Sequence, residues 1–136
     1  MTDELVLALT YHSVSAGDGP LRASPAQLGD QLDWMLRCGL RPATLRSIVD
    51  RLERNGGFEA PCFAVTFDDA YRDFVDAALP VLEARGIPAT LFATASSDRR
   101  RLPEGLDRPL LGLEELAGLS GRGVDVGAHS IAHLDL

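Results

Sequence analysis

The chain has 136 residues, 46% of them hydrophobic and 24% charged, which fits one small soluble globular domain spanning 1–136 with a single core. Its formal net charge of −7 comes from acids scattered among bases, so no cationic stripe exists to neutralise phosphates and nucleic acid is excluded as a partner. No stretch approaches the roughly 20 apolar residues of a membrane span, and "MTDEL" is not a leader, so the sequence as it stands reads as cytoplasmic unless a leader has been removed.

Residues 5–12, "LVLALTYH", have the length and flanks of a buried strand. In "SPAQLGDQLDWMLRCG", Ser24 is an N-cap, Pro25 the first helical residue and Gln27 the partner that completes a capping box. Leu28, Leu32, Met35 and Leu36 form its apolar stripe, and Gly39 ends it. A short extended piece, "RPATL", leads into a second helix, "RSIVDRLERNGG", with Ile48, Val49 and Leu52 expected on its buried face. "CFAVTF" is the clearest strand. Residues 71–85 predict a helix with Phe74, Ala78 and Leu82 on one side, a bend at Pro80 and a stop at Gly86. "IPATLFATA" reads as a strand, "SSDRRRLPEGLDRP" as a surface loop, "LGLEELAGLSGRG" as a short helix and "VDVGAH" as a last strand. Cys38 and Cys62 lack a CxxC pairing and are expected to be buried, reduced thiols.

Strands alternating with helices at this spacing imply βαβ units and a parallel sheet, whose chemistry collects at the carboxyl ends of the strands. Three such ends carry reactive side chains: His12, the adjacent Asp68 and Asp69, and His129. Each alone has a bland reading, since a strand-end Asp often caps a helix and a lone His is often a hydrogen-bonding group in a crevice. The spacing in "HSIAH" sets His129 and His133 on one side of a helical turn or of an extended segment, a geometry suited to gripping a divalent ion. Two imidazoles and one carboxylate make an open three-ligand site. The ion also accounts for the two carboxylates, because it can take one and leave the other free as a base toward water.

"AVTFDDAYRDF" followed by "VGAHSIAHLDL" resembles the polysaccharide deacetylases, carbohydrate esterases with the nodulation-factor deacetylase (NodB) homology domain. "LTYHSV" resembles the branch of that family that opens with a YH motif. The resemblance implies a distorted (β/α) barrel, here an incomplete one of about five parallel strands, that removes N- or O-acetyl groups from carbohydrate. It implies that Asp68 is the catalytic base, that Asp69, His129 and His133 hold one divalent ion, zinc by preference, and that Ser130 braces their loop. Tyr11 and His12 are weaker candidates for lining the same pocket.

Two departures stand out. The family has Gly where this chain has Ala70, a position where positive φ would be costly for Ala. The later family motifs, which supply the oxyanion donor, the partner of the base and a general acid, lie beyond the second histidine, while this sequence ends at Leu136. A truncated barrel, impaired activity and self-association through an open sheet edge are the corresponding expectations. An accessory domain that binds metal or carbohydrate without turnover, and an amidohydrolase for a small non-sugar amide, are the alternatives.

Overall fold

The computed structural model describes residues 5–54, 56–58, 60–95 and 108–131. In chain order the elements are β1 (Val6–Tyr11), β2 (Ser13–Val14), β3 (Arg22–Ala23), α1 (Pro25–Arg37), β4 (Arg41–Pro42), α2 (Leu45–Glu53) and β5 (Cys62–Asp69). A π-helical turn (Phe74–Ala78) runs into α3 (Leu79–Glu83), followed by β6 (Ala89–Ala93), α4 (Leu113–Ala117), a 3₁₀ turn (Ser120–Arg122) and β7 (Val124–Ala128).

β5 is the centre of a five-stranded sheet ordered β1-β5-β6-β7, in which every pairing is parallel. β1 lies along residues 62–67 of β5, so β4 and β6 share its other edge, β4 beside Cys62 and Phe63 and β6 beside Thr66 to Asp69. This arrangement is the expected parallel α/β fold, and among the described residues it is an open sheet: β1 pairs only with β5 and β7 only with β6.

Because the strands are parallel, side chains alternate between two faces in step across the sheet. Leu7, Leu9 and Tyr11 of β1, Phe63, Val65 and Phe67 of β5, and Ala89, Leu91 and Ala93 of β6 meet Leu28, Leu32 and Met35 of α1 and Phe74, Ala78, Leu79 and Leu82 in the main core. Each fully buried Leu or Phe there contributes about 1.5–3 kcal/mol. The opposite face carries a row of Thr10, Thr66, Thr90 and Asp125, one each from β1, β5, β6 and β7 in register, with the Thr10 and Thr66 hydroxyls 2.9 Å apart. One face is therefore a sealed apolar core and the other carries a polar row below the strand ends.

α1 starts as its sequence dictates. Ser24 Oγ accepts from the Gln27 N–H at 3.1 Å, and Gln27 Oε1 accepts from the Ser24 N–H at 2.8 Å, which satisfies two otherwise orphaned donors. The helix over residues 71–85 differs from a regular α-helix. The Leu79 N–H donates to the Phe74 carbonyl, a five-residue step, immediately before Pro80. Pro has no N–H and its ring crowds the carbonyl four residues back, and the wider turn relieves that crowding while keeping Phe74, Ala78 and Leu82 buried.

Three expectations are corrected, the first in α1, where Leu36 of the expected apolar stripe is exposed. Cys38 is exposed, because it caps the C-terminus of α1 just past the buried stripe, whereas Cys62 is buried at the start of β5 with its thiol pushed up by burial. In α2, Ile48 is buried, but Val49 and Leu52 are exposed, since the helix meets the sheet only through a small cluster of Ile48 and Leu45 with Cys62, Ala64 and Phe58. The two-residue pair β2 and β3 was not legible as strand, being too short for any alternation to show.

Candidate metal and acyl-transfer site

The site begins with the way β5 ends. Residues 62–67 are all buried, and the strand then turns at two successive left-handed residues, Asp69 (φ 72°) and Ala70 (φ 59°). Such conformations cost an L-residue about 1–2 kcal/mol each and are held only where the surroundings fix them. Here a neighbouring segment does so. The Leu111 N–H donates to the Ala70 carbonyl at 2.9 Å, the Arg72 N–H donates to the Pro109 carbonyl at 2.8 Å, and Tyr71 bridges Leu110 antiparallel. The turn breaks the strict alternation of the strand and leaves two adjacent carboxylates at the rim.

The two carboxylates have different surroundings. Asp68 keeps a 20% exposed side chain, with the Nε2 of His12, from the end of β1, 3.9 Å from its Oδ2. Asp69 is buried to 1% of its side-chain surface and has the Nε2 of His129, from the end of β7, 3.5 Å from its Oδ1. The His129 N–H donates to the Ala93 carbonyl at 2.8 Å, and the Ala95 N–H donates to the Ser130 carbonyl at 2.9 Å, so the ends of β6 and β7 are stitched together just where His129 leaves the sheet. Ser130 itself is left-handed (φ 55°), a tight exit that turns the chain after the histidine.

His12, Asp68, Asp69 and His129 therefore stand together on one rim. Tyr11 points elsewhere. Its ring stacks on Phe67 on the core face, with centroids 5.4 Å apart, and its hydroxyl donates to Gln31 of α1, while burial raises its pKa. His133 lies outside the described residues.

The donor set suits a divalent cation. Two ligands each about 2.0–2.2 Å from one tetrahedral zinc stand about 3.3–3.5 Å apart, so the Asp69–His129 separation of 3.5 Å matches a shared ion and exceeds an optimal hydrogen bond. Among the described residues no group of three His, Cys, Asp or Glu side chains is assembled, and the third donor would have to come from elsewhere.

Asp73 was missed by sequence reading, since in "TFDDAYRDF" it looks like an ordinary acid in the first turn of a helix. It is largely buried. It accepts from the Ser13 hydroxyl and from the Val14 N–H at 3.4 Å, and Arg108 Nη1 reaches it at 3.4 Å. Burial raises its pKa, and the hydrogen bonds from Ser13 and Val14 and the charge of Arg108 oppose that rise.

A family model described as polysaccharide deacetylase matches residues 55–136, more than half of the chain. The YxkH protein of Bacillus subtilis (strain 168), whose name places it among the polysaccharide deacetylases, is 28% identical over 130 residues, covering 94% of this chain and 43% of its own length. Among solved structures, IcaB from Ammonifex degensii superposes with a TM-score of 0.79 at 24% identity, covering 93% of this chain and 53% of that one. A de-N-acetylase from Aggregatibacter actinomycetemcomitans gives 0.74 at 18% identity, covering 91% and 54%. The Streptococcus pyogenes deacetylase PplD in complex with acetate gives 0.73 at 20% identity, covering 97% and 58%. The chain thus spans about half the length of these proteins, and the likeness to the solved structures is one of fold.

Proposed function

The chain belongs to the polysaccharide deacetylase family, and from that premise we propose that it carries the base and metal-binding half of a site that hydrolyses acetyl groups from N- or O-acetylated sugars. The observation that carries the reading is the split between the two carboxylates at the end of β5, Asp68 partly open beside His12 and Asp69 buried beside His129. In this reading Asp69 and His129, with His133, hold one divalent ion, zinc by the nature of the donors. Such an ion supplies Lewis-acid polarisation of the acyl carbonyl and positive charge for the developing oxyanion.

The remaining steps belong to the protein's own side chains. Asp68 has room for a water on its exposed side and takes its proton as the water attacks the acyl carbon. His12, across from the same carboxylate, fixes its orientation. Asp69 is buried and turned toward His129, which suits it to hold charge rather than to relay a proton. The polar row of Thr10, Thr66 and Thr90 floors the open face beneath the rim.

The test is acetate release from acetylated chito-oligosaccharides by the purified chain and by a version extended past residue 136 with the family's later motifs, with zinc present and after chelation. Metal-dependent release that Asp68→Asn abolishes supports the reading. Release that survives Asp68→Asn, or that is indifferent to chelation, contradicts it.

A further inference from the structure

Three parts of the chain meet at Asp73. Its own backbone follows the Asp68–Asp69 turn into the π-helical segment, Ser13 and Val14 come from the chain that has just left β1 through His12, and Arg108 opens the segment that pairs with residues 70–72. Ser13 and Val14 are wholly buried, and Asp73 keeps only 11% of its side-chain surface. No apolar packing demands a carboxylate at such a place. Burying one is costly unless its oxygens are satisfied, and here they are satisfied by a hydroxyl, a backbone N–H and a guanidinium from two other segments.

We infer that Asp73 is a positioning residue that clamps the β1–β2 turn and thereby holds His12 against Asp68. The geometry supports this in two ways. His12 immediately precedes Ser13, so both hydrogen bonds to Asp73 lie within two residues of the imidazole. Among the described residues the same turn is joined to the main sheet by strand pairing only through β1, because β2 pairs with β3 in a separate two-stranded unit. Without the clamp, the path of the chain after Tyr11 is set by that small unit and by the burial of Val14 in the main core, and the 3.9 Å approach of His12 to Asp68 loses its polar tether to the segment that follows Asp69. Arg108 extends the clamp to the segment that supports the left-handed turn, so one carboxylate coordinates both sides of the base.

The structural part of this inference stands apart from the deacetylase reading, and its consequence for turnover rests on that reading. The test is the imidazole carbon–proton NMR signal of His12 in the metal-free chain, which has only three histidines and can be assigned through His12→Gln. Asp73→Ala should move the His12 signal by more than its linewidth toward the position of an unstructured peptide and leave the His129 signal in place. Asp73→Asn can still accept from the Val14 N–H through its Oδ1 and donate from its Nδ2 to the Ser13 hydroxyl oxygen, giving up only the approach of Arg108, and should restore most of the shift. Ser13→Ala removes a single contact and should produce an intermediate shift, which serves if Asp73→Ala does not fold. In acetate release, the Asp73→Ala loss should fall on kcat, about 10- to 100-fold with KM nearly unchanged, as for other residues that orient a reacting group through a neighbour. An unmoved His12 signal in both alanine variants, equal movement of His12 and His129, or failure of Asp73→Asn to rescue would overturn the inference. A moved His12 signal with no acetate release from any variant, in the version extended past residue 136 as well, would leave the clamp standing and count against the deacetylase reading.

Discussion

Replacing Ala70 by Gly probes the turn on which the whole site depends. Ala70 sits at φ 59° with no exposed surface, so three contributions compete. Gly relieves the left-handed strain, worth about 1–2 kcal/mol. It removes one buried methyl, about 0.8 kcal/mol, and it gives the unfolded chain extra freedom, about 0.4–1 kcal/mol. The sum lies within about 1 kcal/mol of zero, which explains how this chain carries Ala where a residue without Cβ would be conformationally easier. Ala70→Val is the counter-case. A β-branched side chain is disfavoured at positive φ, and two more methyls would enter the main core at a residue with no exposed surface, so strain and overpacking should together cost at least about 2 kcal/mol, or roughly 6–10 °C in Tm. Urea denaturation followed by circular dichroism measures both. Gly stabilising by more than about 2 kcal/mol, or Val matching the parent protein, would refute the account of the turn.

The carboxylates should separate by role: Asp68→Asn should largely spare zinc uptake while removing acetate release, whereas Asp69→Asn should weaken both, and calorimetry beside the release assay would show a reversed pattern if the roles are exchanged. Acid should weaken the fold through Asp33, whose pKa is lowered chiefly by its hydrogen bonds to Arg85, at 2.8 and 2.9 Å, against a smaller opposing effect of burial. A depressed folded pKa contributes stability that is present above the unfolded value, about 3.9, and is lost as pH falls through the lower folded value. Arg85→Met should therefore show a shallower fall in urea midpoint between pH 5 and pH 3 than the parent, and parallel curves would count against the pair. Finally, among the described residues β1 and β7 present open parallel edges, so the chain should associate with rising concentration in sedimentation experiments, and a charge on the exposed edge in Val126→Lys should reduce it; a monomer at all concentrations would dismiss that role for the edges.

Much of the fold is legible because it depends on local rules. Ser24 and Gln27 announce the start of α1, the largely apolar run before Asp68 announces a strand buried on both faces, and Gly86, left-handed at φ 62°, marks the end of the helix before β6. What escaped depends on partners remote in sequence. The exposure of Val49 and Leu52 follows from how little of the sheet α2 covers, which no helical period reveals. The burial of Asp73 follows from contacts with Ser13, 60 positions away, and with Arg108, 35 positions away. The meeting of His12 with Asp68 and of His129 with Asp69 is legible only as far as parallel strands put their ends on one rim, and the 3.9 and 3.5 Å separations are facts of the folded chain. Tyr11 shows the limit of that reasoning, since one step of strand alternation turns it to α1 and away from the rim.

The central claim is that Asp69 and His129 hold one divalent ion, and stoichiometric zinc uptake by the purified chain at neutral pH tests it most directly. With zinc at about 100 times its dissociation constant, binding to the folded state alone adds about 2.7 kcal/mol of stability, which should appear as a rise of roughly 8–13 °C in Tm. The account predicts one ion per chain with that rise, lost together in Asp69→Ala and in His129→Ala, and lost for the parent as pH falls far enough to protonate the imidazole ligands. Zinc uptake and a thermal shift that survive the paired substitution of Asp69 and His129 by alanine would contradict it.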